Sequence, residues 1–418
     1  MQNKQFLQTT LKSAIASALL LASTSAISAE SDSLQQQLDA LKAENKIILE
    51  RLEATADMLE SGSSNNEAST QEVGSSAAHN HGTGETARSR TFGSHGSKGN
   101  TTIGGYGELH YINTDSTNTI NMHRFILFMG HEFNDKIRFW SELEVEHSQV
   151  KTSGSGSGEV SIEQAFLEFD VSDNNSIRAG IILVPVGMIN ETHEPPTFYG
   201  VERNNIEKYI IPTTWREGGV SLTGRFGGAF SYDLAMHSGL EISASDNYAV
   251  RGGRNHVSKA PMSDPAYTAR LKWTGVAGVE LGAALQYQRD ITQSTDAAAG
   301  SATLLETHAV WQTGPVALRA LYASWDLSGN GPKSTGADEQ SGWYVEPSYK
   351  FTSQWGVYAR QSSWDNQVNS VNDTQRDQTD FGVSYWPHED VVVKANYQLL
   401  DKAGTDDDGF MLGVGYQF

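Results

Sequence analysis

Charged residues stand at every second position in a segment around residue 140. One set of alternating positions is largely charged and contains Arg138, Glu142, Glu144 and Glu146. The positions between them are apolar or small: Ile137, Phe139, Ser141, Leu143 and Val145. An extended strand places alternate side chains on opposite faces, so this segment predicts one charged face and one apolar face. Such a strand can border water on one side and hydrocarbon on the other.

The same alternation recurs from about residue 101 to the terminal aromatic residue Phe418. Sixteen segments are predicted as strands, at 102–112, 121–133, 136–149, 160–171, 175–184, 216–226, 229–239, 265–274, 278–290, 303–313, 315–326, 342–351, 354–364, 378–386, 390–400 and 409–418. The breaks between them are predicted to alternate strictly between short and long, beginning with a long break at 113–120. Bacterial outer-membrane barrels have an even number of strands, short periplasmic turns and long external loops. The sequence therefore predicts an all-β fold, a 16-stranded antiparallel transmembrane β-barrel.

Three segments precede the predicted barrel, which spans 101–418. Residues 1–29 combine Lys4 and Lys12 with a short apolar run and small residues up to Ala29, the pattern of a secretion signal peptide. Residues 30–60 carry a leucine seam at heptad spacing and predict a coiled-coil helix in the periplasm, with two or three chains left open. Residues 61–100 are rich in Ser, Gly, Asn and Thr and predict a flexible linker.

Composition limits the partners and the chemistry. A net charge of −20 argues against nucleic acid as a binding partner. The absence of cysteine rules out disulfides and thiol chemistry. No segment beyond the leader approaches 18 apolar residues, so insertion into outer-membrane lipid is predicted to use strands. The adjacent pair His147 and Ser148 would point to opposite faces of a strand, and no G-x-S-x-G motif occurs, so no enzyme is predicted. The histidines are scattered, and neither a metal nor a cofactor is predicted.

The longest break, 185–215, is unusually apolar and contains Pro185, Pro195, Pro196 and Pro212. A loop of this composition is predicted to fold into the barrel, where its charged residues would ring the narrowest point. The predicted pore-lining and constriction residues are Arg124, Arg138, Glu142, Glu144, Glu146, Glu191, His193, Glu194, Arg203, Lys208 and Arg216. A charge facing lipid at mid-membrane costs about 2–4 kcal/mol, which directs such residues to the lumen or the rim. Pairing across neighbouring strands is the competing explanation for each residue of the wall.

Several of these segments resemble the phosphate-selective porin O/P family of outer-membrane porins. The resemblance is carried by Gly104-Gly105-Tyr106-Gly107-Glu108, by His123-Arg124-Phe125 through Gly130-His131-Glu132-Phe133, by Ser141-Glu142-Leu143-Glu144, and above all by the 190–219 segment. It implies a trimeric, water-filled, sixteen-stranded channel for small charged solutes. Family members named for phosphate use lumenal Arg and Lys residues. No dense run of Arg or Lys residues occurs in this sequence. The resemblance is therefore not taken to imply a row of phosphate-binding residues in this lumen.

These observations predict a porin for passive diffusion of small hydrophilic, charged solutes, self-associated as a homotrimer in the Gram-negative outer membrane. Two alternatives stay open. One is a channel specific for phosphate or another oxyanion. The other is a structural barrel that is tethered to the envelope through contacts of residues 31–60 with the cell wall or a periplasmic partner.

Overall fold

A computed structural model describes residues 100–150 and 158–418 of the chain. The predicted signal peptide (1–29) and coiled-coil helix (30–60) lie outside the described residues, as does the predicted linker except for its last residue, Asn100. These three segments stay predictions.

Sixteen antiparallel strands close into a single barrel in which each strand pairs with its neighbours in sequence and β1 pairs with β16. They are β1 Thr101–Thr114, β2 Asn118–Asn134, β3 Ile137–Glu146, β4 Val160–Ser172, β5 Asn175–Leu183, β6 Arg216–Phe226, β7 Phe230–His237, β8 Ala266–Trp273, β9 Val279–Gln288, β10 Ala302–Thr313, β11 Val316–Leu327, β12 Glu339–Tyr349, β13 Trp355–Asp365, β14 Arg376–His388, β15 Val391–Lys402 and β16 Gly409–Gln417. The predicted fold class, a 16-stranded antiparallel barrel, is confirmed.

The strict alternation of short and long connections is wrong at the first hairpin. Strands β1 and β2 continue to pair as far as Asn113 and Asn118, so that only 115–117 separate them, where a long break was predicted at 113–120. The polar Asn and Thr residues of this segment suggested a loop, but their main chains form ladder hydrogen bonds beyond the apolar part of the strands. Elsewhere the long loops alternate with short turns, and the longest loop lies between β5 and β6.

The outer surface of the barrel is apolar between two groups of aromatic residues. Outward-facing aliphatic residues include Leu127, Leu143, Leu167, Leu234, Leu271, Val357 and Val393. Near the short turns the exposed aromatic residues include Phe133, Phe226, Trp311, Tyr349 and Trp355. Near the long loops they include Tyr267, Tyr287, Trp343 and Phe410. An apolar band between aromatic girdles is the surface that outer-membrane barrels present to lipid.

Helical segments are few and short. The described residues form 3₁₀ turns at Pro195–Thr197, Ala244–Asp246 and Val250–Gly253, a π-helical turn at Ile206–Ile210, and a short α-helix at Asn330–Thr335. Within the described part of the chain, no helix is long and apolar enough to cross a membrane.

The main apolar core is formed by loops that pack against the inner wall. The β5–β6 loop (184–215, here L3) and the β7–β8 loop (238–265, here L4) contribute ten of its 22 buried apolar residues, and their partners include residues of β10 to β13. Ile206, Ile210, Trp215, Leu240, Ile242, Leu304, Trp325, Tyr344 and Trp364 belong to this cluster. Burial of apolar side chains stabilises the two loops by about 1.5–3 kcal/mol for each large residue.

Candidate functional site

L3 is closed at its base by one asparagine. The Asn190 side chain donates to the main-chain carbonyls of Val184 (2.8 Å) and Trp215 (3.0 Å), and its Oδ1 accepts from the Trp215 nitrogen (2.8 Å). These bonds join the first and last residues of the loop. Since all three residues are buried, water does not compete with these hydrogen bonds, and they fix where L3 begins and ends.

A second buried side chain, Glu207, organises the interior of L3. Its Oε1 accepts from the main-chain nitrogens of Met188 (2.6 Å) and Ile189 (2.7 Å). Its Oε2 accepts from Asn204 Nδ2 (2.7 Å) and from the Tyr344 hydroxyl on β12 (3.2 Å). The carboxylate therefore connects two parts of the loop to each other and to the wall.

Gly187 lies against the same carboxylate. A Cβ atom at this position would be 2.5 Å from Glu207 Oε1, and the residue has φ +78°. Both the close approach and the left-handed main chain require glycine here.

Inward-facing side chains of the wall bind the main chain of L3. Lys394 Nζ donates to the Gly200 carbonyl (2.8 Å), and Trp325 Nε1 donates to the Ile210 carbonyl (2.9 Å). The Val201 nitrogen donates to Asn396 Oδ1 (3.1 Å). L3 therefore lies inside the barrel, where it contacts strands from β11 to β15.

Ion pairs between neighbouring strands line much of the remaining wall. Glu168 accepts from Arg138 Nε (3.1 Å) and from Arg178 Nε (2.8 Å), and Arg138 also pairs with Asp170 (2.5 Å). On the opposite wall, Arg360 pairs with Asp380 (2.9 Å) and Glu346 (3.3 Å). The charges around Glu168 balance, whereas Arg360 offsets only one of its two carboxylates.

Another network connects β1 and β2 to L3. Glu108 accepts from Arg124 Nε (2.6 Å) and bonds to His110 Nε2 (3.0 Å). His110 Nδ1 bonds to Glu202 of L3 (2.9 Å). Burial opposes the charge of Glu202, but the bond to His110 and the charge of Lys208 hold its pKa well below the usual range. Arg124 also donates to the His193 carbonyl (2.9 Å).

Three buried ligand-type atoms meet where His193 of L3 contacts β3 and β4. His193 Nε2 lies 3.7 Å from Glu142 Oε1 and 3.5 Å from Glu163 Oε2. Glu163 is the extra residue of a β-bulge, because Glu142 pairs with Gln164 while Leu143 pairs with Ile162. The bulge turns the Glu163 side chain into the lumen, and this side chain is 1% exposed.

A basic cluster made of Arg203, Lys208, Arg251 and Arg254 lies where L3 meets L4. Arg251 donates to the Lys208 carbonyl (2.8 Å), and Arg254 donates to the Thr213 carbonyl. Within the ranges that the structure describes, neither Arg203 nor Arg251 nor Arg254 forms an ion pair. Burial, followed by the charges of Arg251, Arg216 and Arg203, lowers the pKa of Arg254 to about 10. Lys208 lies 3.9 Å from Glu202 Oε2, but the three arginines keep positive charge that pairs with none of the described carboxylates.

The family model for the phosphate-selective porins O and P matches residues 104–409, which cover the barrel almost completely. The chain belongs to the phosphate-selective porin O and P family. It is also 29% identical, over 358 residues, to an uncharacterized protein of Aquifex aeolicus (strain VF5); the match covers 76% of this chain and 79% of that one.

Solved outer-membrane channels share the fold of this porin. The channel DcaP of Acinetobacter baumannii is 14% identical, with a TM-score of 0.53, and the match covers 77% of this chain and 99% of that one. The anion-selective porin from Comamonas acidovorans is 12% identical, with a TM-score of 0.53 and coverage of 76% and 99%. The trimer form of OmpT from Vibrio cholerae is 13% identical, with a TM-score of 0.51 and coverage of 76% and 99%. The porin is therefore an outer-membrane channel protein with the general porin fold.

The predicted site residues of this porin fall into separate groups. Arg124, Glu142, His193 and Arg216 meet around Glu163, and Glu144 joins them through Ser161, which bonds to both Glu144 and Arg216. Arg203 and Lys208 belong to the basic cluster. Arg138 is paired within the wall, and Glu191 of L3 is paired with Arg270 on β8. Glu146 is half-buried at the loop end of β3, and the carbonyl of the buried Glu194 accepts from Thr197 Oγ1 (2.7 Å).

Several residues of this region were not identified from the sequence. Strict alternation assigns Glu163 to the lipid face of β4, and a carboxylate at that position is itself a signal that a bulge redirects it. Glu207, Arg251 and Arg254 lie in irregular loops, where periodicity gives no orientation. Glu207 could have been singled out only as a charged residue in an otherwise apolar loop.

Proposed function

We propose that this porin is a passive channel for small hydrophilic, charged solutes and that L3 narrows it. The proposal is supported by the hydrogen bonds from Lys394 and Trp325 to the L3 main chain, which hold the loop against the inner wall. A sixteen-stranded barrel without an inserted segment encloses a wide aqueous lumen, so a loop held inside reduces the passage. Diffusion needs no catalytic group, and we propose no enzymatic activity.

A second candidate function, preference for oxyanions such as phosphate, is favoured by the basic cluster. Arg203, Arg251 and Arg254 make their hydrogen bonds to hydroxyl or carbonyl oxygens, so their positive charge stays available to an anion. Guanidinium groups offer planar paired donors that match oxyanions. The family name and the anion-selective porin from Comamonas acidovorans point in the same direction. The net charge of the chain is −20, so this preference would be local to L3 and L4.

We propose further that the porin is a homotrimer, as the trimer form of OmpT is. Residues 1–29 as a cleaved signal peptide, 30–60 as a periplasmic coiled coil and 61–100 as a linker stay part of this proposal. The coil would also hold the three chains together or contact the cell wall.

The decisive experiment is the reversal potential of the purified porin in planar lipid bilayers under a KCl gradient. A conducting channel whose reversal potential has the sign of chloride preference supports both the porin and the anion candidate. A conducting channel that prefers potassium supports the proposed porin function and contradicts the proposed preference for oxyanions. A folded, inserted protein that does not conduct contradicts both.

A further inference from the structure

Three side chains lie at the junction of L3, β3 and β4. In each of them one polar atom faces a neighbouring polar group and the other has no hydrogen-bond partner among the described residues. His193 Nδ1 lies 3.0 Å from the Asn190 carbonyl, which can only accept, so Nδ1 carries the proton and Nε2 presents its lone pair. Glu142 Oε2 accepts from Gln164 Nε2 (2.6 Å), and Glu163 Oε1 faces Arg216 Nη1 at 3.8 Å. The remaining atoms, His193 Nε2, Glu142 Oε1 and Glu163 Oε2, have no hydrogen-bond partner within the described ranges of the chain.

The three free atoms are buried and converge. The side chains are 4% exposed for His193, 2% for Glu142 and 1% for Glu163. Their free atoms lie within 4.8 Å of one another. Two buried carboxylates and an imidazole at this distance are unfavourable unless a positive charge or a proton lies between them.

Distances distinguish a shared ion from direct hydrogen bonds. The separations of 3.5 Å and 3.7 Å from His193 Nε2 exceed the usual N–H···O range of about 2.7–3.2 Å. Two ligands about 2.1 Å from one tetrahedral ion lie about 3.4 Å apart. The two separations from His193 Nε2 are close to this value. The Nδ1 bond of His193 to a carbonyl is also the second-shell contact that orients metal-bound histidines.

We propose that Glu142, Glu163 and His193 form a binding site for a divalent transition-metal ion such as Zn²⁺. One imidazole and two carboxylates suit Zn²⁺ and neighbouring divalent ions of the first transition row. The ion would neutralise both carboxylates and fasten L3 to the wall through His193. This site is independent of the solute that the channel passes, so its test does not depend on the proposed function.

Two other groups in the described part of the chain have metal-ligand residue types but lack these features. In the group His110, His123 and Glu202, both ring nitrogens of His110 are already bonded to carboxylates, at 2.9 and 3.0 Å. The group His388, Glu389 and Asp390 lies at the turn before β15, where the His388 side chain is 62% exposed. The second group provides a matched control, because it has the same number of ligands without the burial.

The test is metal binding by the full-length porin, folded in detergent, stripped with EDTA, incubated with Zn²⁺ and passed through gel filtration. We expect about one Zn²⁺ per chain by elemental analysis in the wild type and in His388→Gln. In Glu163→Gln we expect the Kd for Zn²⁺ to rise at least about tenfold. Heat-modifiable mobility on SDS gels shows whether each variant is folded.

A second measurement keeps the proposal testable if Glu163→Gln does not fold. X-ray absorption at the zinc edge of the wild type should show nitrogen and oxygen ligands with one imidazole. A folded wild type that retains no Zn²⁺ would overturn the proposal, and a bridging water or a shared proton would then satisfy the three atoms. Equal retention by folded Glu163→Gln, or a spectrum with several imidazoles, would overturn it as well.

Discussion

Glu207 Oε1 lies 2.6 Å from the main-chain nitrogen of Met188, on the far side of a loop that folds back on itself inside the barrel. The same oxygen accepts from Ile189 (2.7 Å), and Oε2 accepts from Asn204 and Tyr344. One carboxylate thus accepts from four donors, three of them on buried residues. Hydrogen bonds to charged groups contribute about 1.5–3 kcal/mol each, so the shape of L3 depends strongly on this residue.

Replacing Glu207 with alanine should therefore loosen L3 without removing the barrel. We expect a higher single-channel conductance with larger current fluctuations, because an unfastened loop obstructs the lumen less. The control is Glu241→Ala in L4, whose side chain forms neither a hydrogen bond nor an ion pair within the described ranges. Equal conductance in wild type and Glu207→Ala, with the variant folded, would show that L3 does not limit the passage.

The sequence predicts side-chain orientation well in the regular strands and poorly in the irregular segments. In β3 and β15, alternation places Glu142, Glu144 and Lys394 inside and Leu143 and Val393 outside, as observed. The period of two follows from strand geometry alone, so it can be read without a structure. It fails at Glu163, because one bulged residue reverses the facing of the residues that precede it.

Irregular segments were predictable only in outline. The apolar composition of 185–215 indicated a loop that packs, and L3 does contribute to the main core. Its internal bonds could not be predicted, because they join residues such as Met188 and Glu207 through main-chain geometry that has no period. The contact between L4 and L3, in which Arg251 and Arg254 bond to Thr213, could not be predicted from the sequence either. Arg138 pairs across the strands with Glu168, which is the alternative that the sequence left open beside a pore-lining role.

The basic cluster should set the local charge preference of the channel. We expect Arg254→Gln to lower the chloride-to-potassium permeability ratio about twofold or more, since an unneutralised charge in a narrow, low-dielectric passage acts strongly on passing ions. The matched control is Arg225→Gln, an equal loss of charge on an exposed residue at the turn end of β6. A larger effect from Arg225→Gln than from Arg254→Gln would place the selective region elsewhere.

The pH dependence of this preference follows from two loop residues. Burial and the charges of Arg251, Arg216 and Arg203 lower the pKa of Arg254 to about 10, while Glu146 opposes the shift. Arg254 is charged below that pH and loses its charge above it. The difference in reversal potential between wild type and Arg254→Gln should therefore be constant from pH 6 to 8 and shrink above about pH 10.

His256 supplies the control for that titration. Burial, together with the charges of Arg216 and Arg254, lowers the pKa of His256 to about 4, so its ring is neutral at pH 7. We expect His256→Ala to leave the reversal potential at pH 7 unchanged. A selectivity change at pH 7 in this variant would mean that His256 is charged at that pH, which contradicts the lowered pKa of its ring.

Arg360 should be more important for stability than for selectivity. It is buried between Asp380 (2.9 Å) and Glu346 (3.3 Å), so its removal leaves two buried carboxylates without an ion-pair partner among the described residues. We expect Arg360→Leu to lower the free energy of unfolding by about 3–5 kcal/mol. The triple variant Arg360→Leu, Asp380→Asn, Glu346→Gln should recover most of this loss, since no charge is then left uncompensated.

Urea unfolding in lipid vesicles, followed by tryptophan fluorescence, measures both Arg360 variants under the same conditions. A triple variant less stable than Arg360→Leu would show that the ion pairs themselves, and not the cost of unpaired charge, hold these strands.

The lipid-facing surface provides the last prediction. Leu127 faces outward in the middle of β2, opposite the outward-facing Leu143 of β3. An arginine facing hydrocarbon at mid-membrane costs about 2–4 kcal/mol, so Leu127→Arg should lower the unfolding free energy by that amount in vesicles. Val371 lies in the β13–β14 loop and is 100% exposed, and Val371→Arg should have no measurable effect. Equal stability of the two variants would mean that Leu127 does not contact lipid, for instance because it lies in a contact between subunits.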